Sequence, residues 1–170
     1  ALAINRLSTS NIVINRPKRL TPYDLVSTCR KTDRQSDHGL SLVIIDYLQL
    51  MRGRNINAYG SREQEVADIS RNLKEMALEL NVPVMALSQL NREPEKRQDK
   101  RPQLSDLRES GSLEQDADII IFIHREERYN RETDNKGIAE IIVAKHRNGP
   151  IGEFNLAFVK QFSKFANLHV

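Results

Sequence analysis

The 170 residues contain a single cysteine, Cys29, and no tryptophan. A lone cysteine has no disulfide partner, so a disulfide-stapled scaffold is excluded. His38, His124, His146 and His169 are scattered along the chain and argue against a Cys/His zinc site. Long apolar runs are lacking too. The longest covers residues 119–123, far short of the roughly 18 residues that a transmembrane helix needs. Neither sign of charge dominates: 26 Lys and Arg face 23 Asp and Glu, and the net +3 permits a nucleic-acid partner without arguing for one. No signal peptide is recognisable, which makes a reducing cytoplasmic compartment the default expectation. Internal repeats and low-complexity tracts are absent from the sequence. What is present, 39% hydrophobic and 29% charged residues, suffices for one folded domain and is too apolar for intrinsic disorder. The chain opens at Ala1 and not Met, and residues 1–7 read as the end of a helix, so a piece of a longer polypeptide is expected.

Caps and periodicity set the order of elements. Residues 11–15 (NIVIN) have the composition of a short strand. Thr21 suits an N-cap, Pro22 the first helical position and Asp24 the first turn, which predicts a helix over 22–33 with Leu25, Val26 and Cys29 inward. Cys29 then reads as a core residue and not a reactive thiol. Residues 42–46 (LVIID) are an apolar run closed by an acid, the pattern of a strand buried on both faces of a parallel sheet. Ser61-x-x-Gln64 is a capping-box pattern that opens a helix to about Leu80, with Val66, Ile69, Leu73, Met76 and Leu80 on one face. Asn81 and Pro83 end it, and residues 82–88 form the next strand. Residues 89–103 make a loop dense in charge, of a length that is functional or disordered in a compact domain. Two short helical turns split around Gly111 follow over 105–115. Strands over 118–124, 138–146 and 154–159, and a short edge strand over 163–168, complete the chain. Alternating strands and helices followed by turn-linked strands predict an α/β fold. Its central sheet is mostly parallel and flanked by helices, with an antiparallel C-terminal edge. Ligands of such sheets gather at the carboxyl ends of the strands.

At those ends, Asp46 follows four hydrophobic residues and suits a nucleotide-bound Mg²⁺, held directly or through water. On its own a strand-end Asp is also an ordinary N-cap or turn residue. Gln89 can report a γ-phosphate as a neutral donor, or simply begin a loop. Lys145 and Arg147, two apart at a strand end, share one face. They suit a clamp on phosphate charge, the arginine-finger role, or form an exposed basic edge. Residues 106–112 (DLRESGS) offer backbone N–H groups near Gly111 and the Arg108 guanidinium to a nucleic-acid backbone without reading sequence. The other reading is a capped turn with a surface Arg–Glu pair. Few aromatics accompany the stretch, so a base-stacking groove is not supported. No Ser/His/Asp arrangement is evident, and no G-x-x-x-x-G-K-[ST] phosphate loop occurs in the chain. Without such a loop, Asp46 alone holds ATP poorly.

Each signal is weak alone, but their order and wording are specific. LVIIDYLQLMRG (42–53), EVADISRNLKEMALELNVPV (65–84), ALSQLNR (86–92), KRPQLSDLRESGSLEQDADIIIFI (100–123) and GIAEIIVAKHRNGPIG (137–152) closely resemble the C-terminal RecA-like domain of the DnaB-type replicative DNA helicases. The resemblance covers the chain from about Thr21 onward. It implies that Asp46 is the Walker B acid and a Mg²⁺ ligand, and that Gln89 is the γ-phosphate sensor. It implies that Arg108, Glu109 and Gly111 belong to a central-channel loop contacting single-stranded DNA, and that Lys145 and Arg147 reach a neighbouring subunit's γ-phosphate. Arg125 is implied to lie near that same interface and to touch nucleotide. The family's cofactors are ATP and Mg²⁺. Its members form homohexameric rings that move 5′ to 3′ on single-stranded DNA and work with primase and a helicase loader, with no membrane involved.

Relative to that family the chain lacks the phosphate loop, the strand bearing the Ser-Leu-Glu-Met stretch with the catalytic glutamate, and the N-terminal collar. It is thus expected to be the C-terminal part of a single RecA-like ATPase domain, inactive alone, with residues 42–45 and 119–123 short of strand neighbours. Residues 14–16 (INR) stand where many relatives carry acids, and His146 where relatives often carry Gln. Two other readings stay open. One is a non-catalytic interaction module or degenerate paralogue, favoured by the missing phosphate loop. The other is a different RecA-like ATPase, disfavoured by the D-L-R-E-S-G and K-H-R-N-G-P wording.

Overall fold

The computed structural model describes residues 2–53 and 60–168, apart from the side chains of residues 2, 3 and 108–110. Helix α1 (Leu2–Ser8) and the segment after it stand away from the body, with Ile4, Leu7, Ile12, Val13 and Ile14 all exposed. The strand expected over 11–15 is not formed. A strand needs a neighbour to satisfy its N–H and C=O groups. Here the backbone bonds are local, such as Ile12 N–H to the Ser10 carbonyl at 2.8 Å.

Helix α2 (Pro22–Gln35) starts as its caps predict: Thr21 Oγ1 accepts the Asp24 N–H at 3.2 Å and donates to Asp24 Oδ2 at 2.6 Å. Strand β1 (Val43–Ile45) leads through a 3₁₀ turn, Leu48–Leu50, towards α3 (Arg62–Leu80). At the start of α3, Ser61 Oγ accepts the Gln64 N–H at 3.3 Å. Gln64 Oε1 returns to the N–H of Gly60, at 2.8 Å, one residue before the position that a full capping box uses. Asn81, left-handed at φ 51°, ends the helix, because Asn tolerates that region better than most side chains. Strand β2 (Val84–Ala86) then pairs parallel to β1, with Val43 opposite Val84 and Ile45 opposite Ala86.

The charged loop carries a short helix, α4 (Glu93–Lys96). A 3₁₀ segment, Leu104–Ser110, runs directly into α5 (Gly111–Asp116). Four antiparallel strands follow in chain order: β3 (Ile119–His124), β4 (Ile138–His146), β5 (Gly152–Val159) and β6 (Lys164–Asn167). Among the described residues β2 and β3 are not paired, so the parallel part is the β1–β2 pair and the antiparallel part is a full four-stranded sheet. The α/β class and the antiparallel C-terminal edge are as expected, although that edge is larger than the sequence suggests.

One face of both sheets is covered. The main core joins Cys29 of α2, Val43 and Ile45 of β1, and Val66, Ile69, Leu73 and Met76 of α3. A smaller core joins Leu107 to Ile120 and Phe122 of β3. Burying side chains of this size stabilises the fold by roughly 1.5–3 kcal/mol each. The opposite face is bare: Ile44, Met85, Ile119, Ile121 and Ile123 are all at least half exposed. The expectation that residues 42–46 are buried on both faces is therefore corrected. Alternation sends Ile44 to a side on which no described element packs.

Candidate functional site

Parallel pairing sets the carboxyl ends of β1 and β2 side by side. The Leu87 N–H reaches the Ile45 carbonyl at 2.9 Å and the Leu48 N–H reaches the Leu87 carbonyl at 2.8 Å. This brings Asp46, exposed just after β1, and Gln89, exposed just after β2, to one edge. Sequence reading missed the residue that links these ends. Gln49 Nε2 donates to Ser88 Oγ at 3.1 Å and to the Gln89 carbonyl at 3.0 Å, while Gln49 Oε1 accepts the Gln89 N–H at 3.2 Å. Arg62 secures the same turn by donating to the carbonyls of Gln49 and Met51, at 2.9 and 3.2 Å. It also pairs with buried Glu65, whose other oxygen takes the Gly53 N–H at 2.8 Å. Burial pushes the Glu65 carboxyl up, but the Gly53 N–H and the neighbouring Arg62 and Arg52 outweigh it and hold it below the usual glutamate value.

Lys145 and Arg147 lie elsewhere. Lys145 Nζ, at the end of β4, donates to the carbonyl of Glu114 and, at 3.2 Å, to that of Gln115, the last turn of α5. Arg147 Nη2 reaches the Gln115 carbonyl at 3.3 Å, and its Nη1 lies 3.0 Å from Asp118 Oδ1. Asp118 also pairs with Lys74 of α3. These cations hold the Asp118 carboxyl below its usual value, Lys74 contributing most. Lys74 is twelve residues along α3 from Arg62, which anchors the Asp46 and Gln89 edge, so about 18 Å of helix separates the two places.

Arg125 ends β3, whereas Lys145 and Arg147 sit at the end of β4. The two strands are antiparallel, with Ile119 opposite His146 and His124 opposite Glu140. The structure therefore puts Arg125 at the other end of the ladder from Lys145 and Arg147, roughly 17 Å away, and does not bring the three together. Arg125 pairs with Glu127, and its guanidinium carbon lies 3.8 Å from the centroid of the Phe158 ring. Its Nε is buried without a hydrogen-bond partner among the described residues. Phe158 carried no signal in the sequence, since an aromatic on a strand usually reads as core.

The backbone of Arg108 and Glu109 lies in the 3₁₀ segment, their side chains outside the described residues, and Gly111 is exposed at the first position of α5. Asp106 anchors this segment. Its carboxylate takes Arg97 Nη1 at 2.8 Å, Arg97 Nη2 at 2.7 Å and the Gln103 N–H at 2.7 Å. Burial raises the Asp106 carboxyl, and the Arg97 and Gln103 hydrogen bonds overcome that and hold it low. The Asn91 N–H, two residues after Gln89, bonds the Asp106 carbonyl at 3.2 Å. The Gln89 edge and the 3₁₀ segment are thus in direct contact. Among the described residues no helix is long and apolar enough to cross a membrane.

The chain is 50% identical over 167 residues to the replicative DNA helicase DnaB of Geobacillus stearothermophilus, covering 98% of this chain and 36% of that protein. It is 52% identical over 167 residues to the replicative DNA helicase DnaC of Bacillus subtilis (strain 168), covering 98% and 36%. The chain thus spans about a third of the length of these relatives. Among solved structures, one described as an ATPase domain superposes with a TM-score of 0.94 at 49% identity, covering 99% of this chain and 58% of that one. A DnaB-like replicative helicase described with its interactions with primase superposes with a TM-score of 0.93 at 49% identity, covering 99% and 40%. Residues 1–167 match the family model of the DnaB-like helicase C-terminal domain, and the chain belongs to that family.

Proposed function

We propose that the complete protein containing this chain is an ATP-dependent replicative DNA helicase that moves 5′ to 3′ on single-stranded DNA, and that this chain is the C-terminal part of its RecA-like ATPase domain. The chain's 58% share of a solved ATPase domain supports the second half of this reading. So do the gap between β2 and β3, which are not paired with each other among the described residues, and the bare apolar face of both sheets, which suit further strands and helices from a longer polypeptide.

The observation that carries the mechanism is the separation along α3. Arg62 and Lys74 lie about 18 Å apart, beyond the reach of one side chain. This separation supports the reading that Lys145 and Arg147 act on a phosphate other than one held at the Asp46 and Gln89 edge of their own chain. They suit a nucleotide bound by a neighbouring copy, as in a homohexameric ring.

ATP and Mg²⁺ are the cofactors of this reading. Asp46, an exposed carboxylate at a strand's carboxyl end, fits a Mg²⁺ ion that keeps water and phosphate oxygens as its other ligands. The metal-bound nucleotide supplies the phosphoryl group, and this chain's residues position and sense it. Gln89 donates at the γ-phosphate and is held in register by Gln49. Arg125, its guanidinium carbon 3.8 Å from the Phe158 ring centroid and its buried Nε–H without a partner among the described residues, offers a platform for a purine base. The 3₁₀ segment bearing Arg108 and Glu109, with Gly111, follows a single-strand backbone. Single-stranded DNA, primase and a helicase loader are the partners, in the cytoplasm.

The test is Arg147→Ala in the complete protein. DNA-stimulated ATP hydrolysis falls to background while nucleotide binding, followed with a fluorescent ATP analogue, stays within about twofold. An equal loss of binding removes the trans role.

A further inference from the structure

The two cations assigned to a neighbour's phosphate already have occupation within their own chain. Lys145 and Arg147 both donate to the last carbonyls of α5, at Glu114 and Gln115. A helix ends with carbonyls that lack intrahelical partners and with a partial negative charge, so cations stabilise that end. The first residue of α5 is Gly111, and the 3₁₀ segment with Arg108 and Glu109 runs straight into it. α5 is six residues long, about 9 Å, and is thus a short rod. The proposed DNA contacts stand at one end of it and the proposed phosphate clamp at the other.

Two further contacts fix the clamped end. Ser70 Oγ of α3 bonds Asp116 Oδ2 at 2.6 Å. Asp118 pairs with Lys74 and Arg147, and its carbonyl takes the Arg147 N–H at 2.8 Å. The opposite end is less well satisfied: Ser112 Oγ is buried without a hydrogen-bond partner among the described residues. A buried unpaired hydroxyl carries a free-energy cost that a shift of the rod can relieve.

We propose that Lys145 and Arg147 are also positioning residues for the DNA-contacting segment. They cap α5 when no neighbouring phosphate is within reach, and leave it when one is. An N–H donor spent on the Glu114 or Gln115 carbonyl is not available to a nucleotide of another chain, so drawing these cations to the neighbour's site weakens the cap on the rod on which the Gly111 turn rides. This rests on the reading that both cations reach a nucleotide in trans.

The test follows amide hydrogen exchange of residues 111–118 in the complete protein, with Lys145→Met and Lys145→Arg. Without nucleotide, Lys145→Met raises exchange in this segment about three- to tenfold, as loss of a helix-end cation should, and Lys145→Arg restores protection. A non-hydrolysable ATP analogue raises exchange of the same amides in the wild-type protein. If Lys145→Met abolishes ATP hydrolysis but leaves nucleotide-free exchange unchanged, the cations serve the nucleotide alone and the proposal is overturned. If the variant loosens the segment while ATP hydrolysis persists and the analogue changes nothing, the cap is purely structural, and the trans reading fails with the coupling. Ser70→Ala gives an independent measurement, since it loosens α5 without touching a nucleotide-site residue. It lowers the stimulation of ATP hydrolysis by oligo-dT at least threefold and leaves basal hydrolysis unchanged; undiminished stimulation overturns the coupling through α5.

Discussion

Asp106 is the residue whose removal tells most about the 3₁₀ segment that bears Arg108 and Glu109. It is 2% exposed, and its carboxylate accepts three hydrogen bonds, two from the Arg97 guanidinium and one from the Gln103 N–H. Asp106→Asn keeps the shape and removes the charge. The amide has one acceptor oxygen in place of two, so it loses at least one Arg97 bond and turns N–H groups towards a donor. Hydrogen bonds to a charged group contribute about 1.5–3 kcal/mol each, so the variant should be destabilised by roughly 2–4 kcal/mol. For a domain of this size, that lowers the thermal midpoint by roughly 5–12 °C. The pH dependence adds a second constraint. The folded Asp106 carboxyl sits below its usual value, so its contribution is fully present above the ordinary aspartate range and is lost as pH falls through the folded value. Asn cannot titrate, so the gap between wild type and variant is wide at neutral pH and narrows in acid. Differential scanning calorimetry from neutral to acidic pH measures both. A neutral-pH gap below about 0.5 kcal/mol refutes the reasoning, because surface substitutions give as much. So does a gap that stays constant into acid.

Two more outcomes follow from the same contacts. Gln49→Ala unlinks Gln89 from the turn after Asp46 at the cost of three hydrogen bonds, two of them exposed. Stability should therefore drop by only about 1 kcal/mol, while ATP turnover in the complete protein falls at least tenfold at nearly unchanged KM; proportional changes in both constants would argue against a role in aligning the sensor. Arg108→Ala should weaken oligonucleotide binding equally across sequences and reduce the slope of log affinity against log salt by about 1, and an unchanged slope takes Arg108 off the DNA path.

What the sequence discloses about the fold is local. Thr21, Pro22 and Asp24 mark the start of α2, and the spacing of Val66, Ile69, Leu73 and Met76 identifies the buried face of α3, because caps and periodicity act within a few residues. Residues 11–15 show the limit of such signals. NIVIN has strand composition, but a strand exists only through its neighbour, and no described segment runs beside it. The bare face at Ile44 and Ile121 has the same cause. The run is legible as apolar on both sides, but what covers the second side is not.

The candidate site divides along the same line. Asp46, Gln89, Lys145 and Arg147 stand at strand ends, where position in the sequence predicts position in the fold. The residues that hold Gln89 and Arg147, namely Gln49 and Asp118, act across 29 to 40 residues of chain and leave no spacing to read. For Arg125 the resemblance implies only a place near the same interface, and antiparallel pairing of β3 with β4 sets it at the opposite end of the ladder from Lys145 and Arg147. The described residues present two chemically different edges. One carries Asp46 and Gln89 with their Gln49 link, and the other carries paired cations resting on the end of α5. Within one copy about 18 Å of α3 lies between the residues that anchor them, Arg62 and Lys74. On the proposal above, two copies placed edge to edge bring the two sets of residues together, and the cation that turns to the neighbour's phosphate is one that otherwise holds the end of α5.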